Sequence, residues 1–196
     1  MVQSIELLLD PESEATVRAT WDLLAAAGLP SLADHRGVSN RPHLTLLAAE
    51  SGLEGSMSQL RELLEQVDLP AVLGAPLLFG GHRGRWVLTR QVVPSRALLA
   101  LHAAVHQVVE AATGASRDTH SVDPHSVDPH SEPDAWTPHV SLARRMPADR
   151  LPQALALLDP QPLACRLVGA RLWDSPSATV MTLDRPDGRP RPESRP

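Results

Sequence analysis

Two segments of the chain, 96 positions apart, repeat one five-residue frame. The first reads PHLTL at 42–46 and the second reads PHVSL at 138–142. Successive side chains on a strand point to opposite faces, so His43 and Thr45 share one face while the two leucines of that segment share the other. The second segment repeats this alternation. The frame predicts two strands that bury apolar side chains and expose an imidazole together with a hydroxyl.

The pattern around the two frames predicts an α+β fold, because strands and helices mix without regular βα alternation. The order strand, helix, motif strand, helix, hairpin recurs approximately after residue 96. This recurrence favours a bilobal molecule, in which two pseudo-symmetric lobes of mostly antiparallel sheet with flanking helices surround a central cleft. The predicted elements are a strand at 2–10, a helix from 11, the first motif strand, a helix at 56–67, a hairpin at 71–93, a helix at 96–112, the second motif strand, a helix at 150–158 and a final strand pair.

We expect residues 1–184 to form one bilobal domain, interrupted by a histidine-rich loop insertion at 118–134. The insertion contains HSVDP twice in tandem, and its prolines and aspartates block both helix and strand. The tail at 185–196 has too few apolar residues to fold, which predicts disorder.

Composition and charge exclude several classes of protein. Eighteen basic and 23 acidic residues give a net charge of −5, which argues against wrapping long nucleic acid but permits a locally positive cleft for one phosphate. No apolar run approaches the roughly 20 residues that span a bilayer, and the N-terminal segment lacks the pattern of a signal peptide. Cys165 is the single cysteine, so no internal disulfide forms. We therefore expect a cytoplasmic monomer without a membrane partner.

Paired imidazoles suit the hydrolysis of a phosphodiester. The reaction takes a proton from the attacking water and gives a proton to the leaving oxygen, and His43 and His139 can divide these two tasks. The hydroxyls of Thr45 and Ser141 can donate to non-bridging phosphoryl oxygens, where negative charge is held in the transition state. This arrangement requires no metal and no cofactor. Near-symmetry prevents the residues alone from assigning the acid and the base.

The two segments resemble the paired HxTx signatures of the 2H phosphoesterases, specifically the group called 2′,5′ RNA ligase-like or cyclic phosphodiesterases. The resemblance covers nearly the whole predicted fold, from the first strand to ATVMTLD. It implies hydrolysis of 2′,3′-cyclic phosphate ends of RNA or nucleotides, or of a related small cyclic phosphodiester, and in some members reversible 2′,5′ ligation. By analogy it implies that His43 is the general acid and His139 the general base.

The resemblance also implies a phosphate contact from Arg144, five residues beyond the second motif histidine. Simple strand alternation places Arg144 on the face opposite His139, so it reaches the site only if the strand ends or bulges after Ser141. Family members that bind nucleotides usually stack a base on an aromatic ring. Trp136 is the aromatic residue nearest the motif, and we expect it to pack in the core or anchor a loop.

Two further groups of histidines have alternative explanations. One group, His102, His106 and Glu110, is spaced along one helical face, and we favour an ordinary polar boundary over a metal site. The other, His120, His125 and His130, recurs every five residues in the tandem loop. There a repeat expansion in a tolerant loop is simpler than weak metal binding.

Two other functions remain open from the sequence. The first is a binding module that recognises an RNA end or nucleotide in the same cleft without turnover. The second is a metal or interaction protein acting through the histidine-rich loop, with structural motif strands.

Overall fold

Seven strands and four α-helices form the described part of the chain. The structure is a computed structural model that describes residues 2–35, 37, 39–50, 53–113 and 127–183. His120, His125 and the tail at 185–196 lie outside the described residues. In chain order the elements are β1 (Gln3–Leu9), α1 (Pro11–Ala26), β2 (His43–Ala49), α2 (Met57–Leu64), β3 (Leu69–Gly80), β4 (Arg85–Val92), α3 (Arg96–Thr113), β5 (His139–Pro147), α4 (Leu151–Ala156), β6 (Leu163–Asp174) and β7 (Thr179–Thr182).

All seven strands belong to one sheet in the order β1-β2-β5-β4-β3-β6-β7, and every strand pair is antiparallel. The long strand β6 pairs with β3 along its first half and with β1 along its second half. The first lobe therefore contains β1, β2, β7 and the end of β6, and the second contains β3, β4, β5 and the start of β6. The predicted α+β class is confirmed. No helix of the described residues is long and apolar enough to cross a membrane.

The two motif strands meet at the junction between the lobes. A single backbone pair, Leu44 with Val140, joins β2 to β5, and both side chains are fully buried. In this antiparallel register His43 lies beside Ser141, and Thr45 lies beside His139, on the face opposite the two buried side chains. The junction thus brings both motifs to one place.

Two tryptophans fill the space where β2 and β5 diverge. The indole of Trp21 donates from Nε1 to the carbonyl oxygen of Ser141 at 3.1 Å, and the indole of Trp136 donates from Nε1 to that of Thr45 at 3.1 Å. Buried carbonyl groups without a strand partner need another donor, and the two indoles supply it. The second contact agrees with the expectation that Trp136 packs or anchors a loop.

Helix α1 follows from its local sequence. The carboxylate of Asp10 accepts a hydrogen bond from the backbone N–H of Ser13 at 2.9 Å and so caps the helix, which has a proline in its first turn. Val17, Trp21 and Leu24 form the predicted apolar stripe, and all three are buried. This stripe packs α1 onto the sheet and places the indole at the junction.

Candidate active site

Both motif strands contain a β-bulge at the same position. Opposite β1, the register of β2 skips Leu46, and opposite β4, the register of β5 skips Leu142. Each bulge inserts one residue and reverses the alternation of the side chains that follow. Leu47 and Ala143, the next residues, are therefore buried like the leucines before them.

The bulge in β5 brings Arg144 to the face that carries His139 and Ser141. These three residues line one cavity, which also meets the condition that the sequence set for Arg144. At the equivalent position of β2 the chain has Ala48 instead. The two halves of the site thus share their histidines and hydroxyls but differ in this cation.

The two imidazoles are held in the same way. Nδ1 of His43 lies 2.7 Å from the carbonyl oxygen of Arg41, and Nδ1 of His139 lies 2.7 Å from that of Thr137. A carbonyl only accepts, so Nδ1 carries the proton in both rings. Each Nε2 is left to take up or release a proton.

Burial lowers the pKa of His139, and the positive charges of His43 and Arg144 lower it further, although the hydrogen bond to Thr137 opposes this. The ring of Phe79 packs against His139 with 4.6 Å between the ring centroids. These surroundings favour a neutral imidazole, which is the form that accepts a proton.

The cavity beside His139 has a volume of about 410 Å³. Phe79, Val87 and Ala135 give it apolar walls, and His130 of the histidine-rich insertion lines it as well. A cavity with apolar walls and a few polar groups is typical of small-molecule sites.

Sequence reasoning did not assign a role in the site to Phe79, His130 or Glu6. Glu6 lies in β1, is 3% exposed, and places Oε1 3.5 Å from Nε2 of His43. A single charged residue within the apolar run SIELLL was the signal for Glu6. No comparable local signal marks the other two, because their position depends on the β3–β4 hairpin and on the path of the insertion.

His102 and His106 do not form the polar boundary that the sequence predicted. They are 2% and 3% exposed, and their Nε2 atoms lie 3.0 and 2.6 Å from one acceptor, the carbonyl oxygen of Ser131. The ring of His102 also stacks on Trp136 at 3.8 Å between centroids. Both histidines therefore anchor the end of the insertion to α3. No group of three or more potential metal ligands occurs among the described residues.

The insertion is also fixed to β2. Val127 bridges to Ala49, the N–H of Asp128 donates to the carbonyl of Ala48 at 2.7 Å, and the N–H of Ala48 donates to Oγ of Ser131 at 3.0 Å. These contacts hold the adjoining His130 at the cavity.

The anchor predicts an acid-sensitive fold. Desolvation lowers the pKa of His102 to about 4, whereas an unfolded histidine titrates near ~6.5. As the pH falls from ~6.5 to ~4, the unfolded chain binds a proton that the folded chain does not, and the free energy of unfolding drops by an amount on the order of 3 kcal/mol. Urea denaturation at pH 7 and pH 4.5 measures this loss.

His102→Gln keeps a donor for Ser131 but cannot titrate in this range, so we expect a smaller loss between the two pH values. His35→Gln, an exposed control, should lose as much stability as the parent. Equal losses in His102→Gln and the parent would contradict the assignment.

Comparison with known proteins agrees with the paired-histidine phosphoesterase class that the fold and site define. A family model described as the 2′-5′ RNA ligase superfamily matches residues 9–178. The chain belongs to this superfamily of 2H phosphoesterases, which is a family of enzymes. The resemblance predicted from the two motifs is therefore confirmed.

Solved structures show the same fold at low sequence identity. The protein TT0787 of Thermus thermophilus is 19% identical, with a TM-score of 0.58, and the match covers 94% of this chain and 96% of that protein. Usb1 of Kluyveromyces marxianus is 18% identical, with a TM-score of 0.49 and coverage of 94% and 98%. LigT of E. coli complexed with 3′-AMP is 15% identical, with a TM-score of 0.49 and coverage of 92% and 91%. No curated protein matches the chain.

Proposed function

We propose that the protein is a metal-independent phosphodiesterase that hydrolyses 2′,3′-cyclic phosphate ends of RNA or nucleotides, or a related small cyclic phosphodiester. The observation that carries this proposal is the matched pair of imidazoles at the lobe junction. Each has its Nδ1 hydrogen-bonded to a backbone carbonyl and its Nε2 left for proton transfer. Two such groups serve a reaction that needs one proton acceptor and one proton donor.

In the proposed reaction, Nε2 of His139 accepts a proton from water as the water oxygen bonds to phosphorus. Nε2 of His43 donates its proton to the ribose oxygen as the bond from that oxygen to phosphorus breaks. The product is a phosphomonoester, and proton exchange with solvent restores both rings. A 5′-hydroxyl in place of water would give a 2′,5′ linkage by the same proton transfers.

Thr45, Ser141 and Arg144 are proposed to hold the phosphoryl oxygens. The hydroxyls lie beside the imidazoles in the register of the junction, and Arg144 lines the cavity with Ser141. Donors aimed at oxygens that gain charge lower the barrier most when they are fixed in advance. The bulge in β5 supports such fixing, because it sets the direction of the arginine.

The experiment is an assay of the purified protein on 2′,3′-cyclic nucleotides, 2′,5′-linked dinucleotides and cyclic ADP-ribose phosphates, with EDTA present. We expect turnover of at least one cyclic phosphate that EDTA does not inhibit. Absence of turnover on all of these substrates, combined with nucleotide binding that is lost in the His43→Ala/His139→Ala variant, would favour the binding module instead.

Replacing Arg144 should weaken catalysis without unfolding the protein. Arg144→Met removes a charge-assisted contact to phosphate, and we expect kcat/KM to fall roughly 10- to 100-fold. It also removes one cause of the low pKa of His139, so the acid limb of the pH–rate profile should move to higher pH.

Arg145→Asn is the matched control for this change. Arg145 has a φ of 57°, a conformation that asparagine tolerates. We expect kcat/KM and the pH profile of Arg145→Asn to stay close to those of the parent. A loss as large as that of Arg144→Met would mean that the bulge, rather than the Arg144 side chain, is responsible.

A further inference from the structure

The internal duplication allows the two halves of the site to be compared position by position. In the first half Glu6 of β1 pairs with Thr45, and in the second half Thr89 of β4 pairs with Ser141. Glu6 and Thr89 are therefore equivalent, and both are buried, at 3% and 0% exposure. Only the half that contains His43 has a buried carboxylate at this position.

The Glu6 carboxylate is held on three sides. Oε2 accepts a hydrogen bond from Nε of Arg171 at 2.7 Å, and Oε1 accepts one from Oγ of Ser4 at 2.8 Å. Arg171 is the partner of Glu6 in the β1–β6 register and donates from a terminal nitrogen to the carbonyl of Ser39 at 2.9 Å. The remaining neighbour of Oε1 is Nε2 of His43, at 3.5 Å.

A buried ion pair is a poor device for stability, because desolvation of both charges offsets their attraction and apolar residues of similar volume often serve as well. The Glu6–Arg171 pair is 4% and 7% exposed in its side chains. Its place beside a motif imidazole, rather than elsewhere in the sheet, points to a role in the site.

The charged groups around the two imidazoles differ in sign. Around His43 they are Glu6 from β1, Arg171 behind Glu6 from β6, and His139 from β5. His139 instead has Arg144 on its own strand and packs against the uncharged ring of Phe79. The anion is nearest one ring, and the arginine without a carboxylate between is nearest the other.

We propose that Glu6, held by Arg171 and Ser4, is a positioning residue that keeps the proton on His43 and thereby sets the direction of proton transfer between the two motif histidines. This inference rests on the proposed phosphodiesterase function and adds to it the reason why a nearly symmetric site works in one sense. Glu6 acts through His43 and has no contact with the reacting atoms in the proposed reaction.

Glu6→Gln tests the inference, because the amide keeps an acceptor for Arg171 and removes the negative charge. An imidazolium without its carboxylate loses its proton at lower pH, so the alkaline limb of the kcat/KM profile should move down by roughly one pH unit. KM at the optimum should change little. In NMR the titration midpoint of the His43 ring, assigned with His43→Ala, should move down with the limb.

Two further variants keep the test decisive. Glu6→Gln/Arg171→Gln replaces the ion pair with a neutral amide pair, so that no buried arginine lacks a counter-ion, and we expect the same downward movement. Asp68→Asn is the matched control, because Asp68 forms a carboxylate–arginine pair with Arg166 between β3 and β6 at 2.7 Å. The control should keep the parent profile.

The outcomes separate this inference from the proposed function. If the parent hydrolyses a cyclic phosphate but Glu6→Gln and the double variant keep both the parent limb and the parent His43 titration, the inference is overturned and the function stands. If the parent hydrolyses none of the substrates, the proposed function fails, and the NMR titration alone decides whether Glu6 holds the proton on His43.

Discussion

His43→Ala and His139→Ala should each lower kcat for a 2′,3′-cyclic nucleotide by about 10² to 10⁴ while the fold remains intact. Each variant removes one of the two proton transfers and leaves the hydroxyls and the arginine that hold the phosphoryl group. Neither imidazole is needed for packing to the extent that Leu44 or Val140 is, since both rings are only partly buried. Steady-state kinetics measure the loss, and circular dichroism with urea denaturation checks the fold.

His35→Ala is the control for this pair, because His35 is exposed and its hydrogen bonds to Asn40 and Leu32 use only its backbone. It should retain the parent kcat. The paired-histidine account fails if both motif variants turn over substrate as fast as the parent does. Combining the two motif substitutions should cost much less than the product of the single losses, because the two groups act as one unit.

Trp21→Ala should produce the largest loss of stability, about 3 to 5 kcal/mol in the free energy of unfolding. The side chain is 2% exposed, fills the space where β2 and β5 diverge, and donates to the carbonyl of Ser141. Its removal leaves both a cavity and a buried acceptor without its donor. Urea denaturation at pH 7 measures the change.

Leu23→Ala on the same helix separates this effect from a general weakening of α1. Leu23 is 45% exposed, so its truncation should change stability by no more than about 0.5 kcal/mol. Trp21→Phe restores most of the volume without the donor and should fall between the two. Equal stability of Trp21→Ala and Leu23→Ala would show that the indole does not support the junction.

Periodicity in the sequence predicted the elements that carry the site. The spacing of Val17, Trp21 and Leu24 matches one face of a helix, and the alternation in the two motifs matches a strand with one buried face. Predicted helix ends were less accurate. The helix predicted at 56–67 is an α-helix only over Met57–Leu64, preceded by a 3₁₀ turn.

The bulges were not predicted, although the sequence contains a trace of them. Each motif ends in two successive buried residues, Leu46 and Leu47 in β2 and Leu142 and Ala143 in β5, where strict alternation would expose the second. A pair of adjacent apolar residues in an otherwise alternating strand is consistent with an inserted residue. The register of the neighbouring strand decides it, and that register is not a local property of the sequence.

Contacts that are distant in sequence account for the remaining differences. Helical spacing placed His102 and His106 on one face but gave no indication of the Ser131 carbonyl, which is 29 and 25 residues away from them. In the same way, Glu6 and Arg171 are 165 positions apart, and only the β1–β6 pairing makes them neighbours. Burial of a histidine or a carboxylate depends on such partners, which local patterns do not report.

Titration of the protein with inorganic phosphate, followed through the ring resonances of His43 and His139, tests most directly whether two distant segments share one phosphate site. The account predicts that both rings respond along a single saturation curve and that His43→Ala weakens the response of His139. Two curves with different midpoints, or a response confined to one ring, would contradict it.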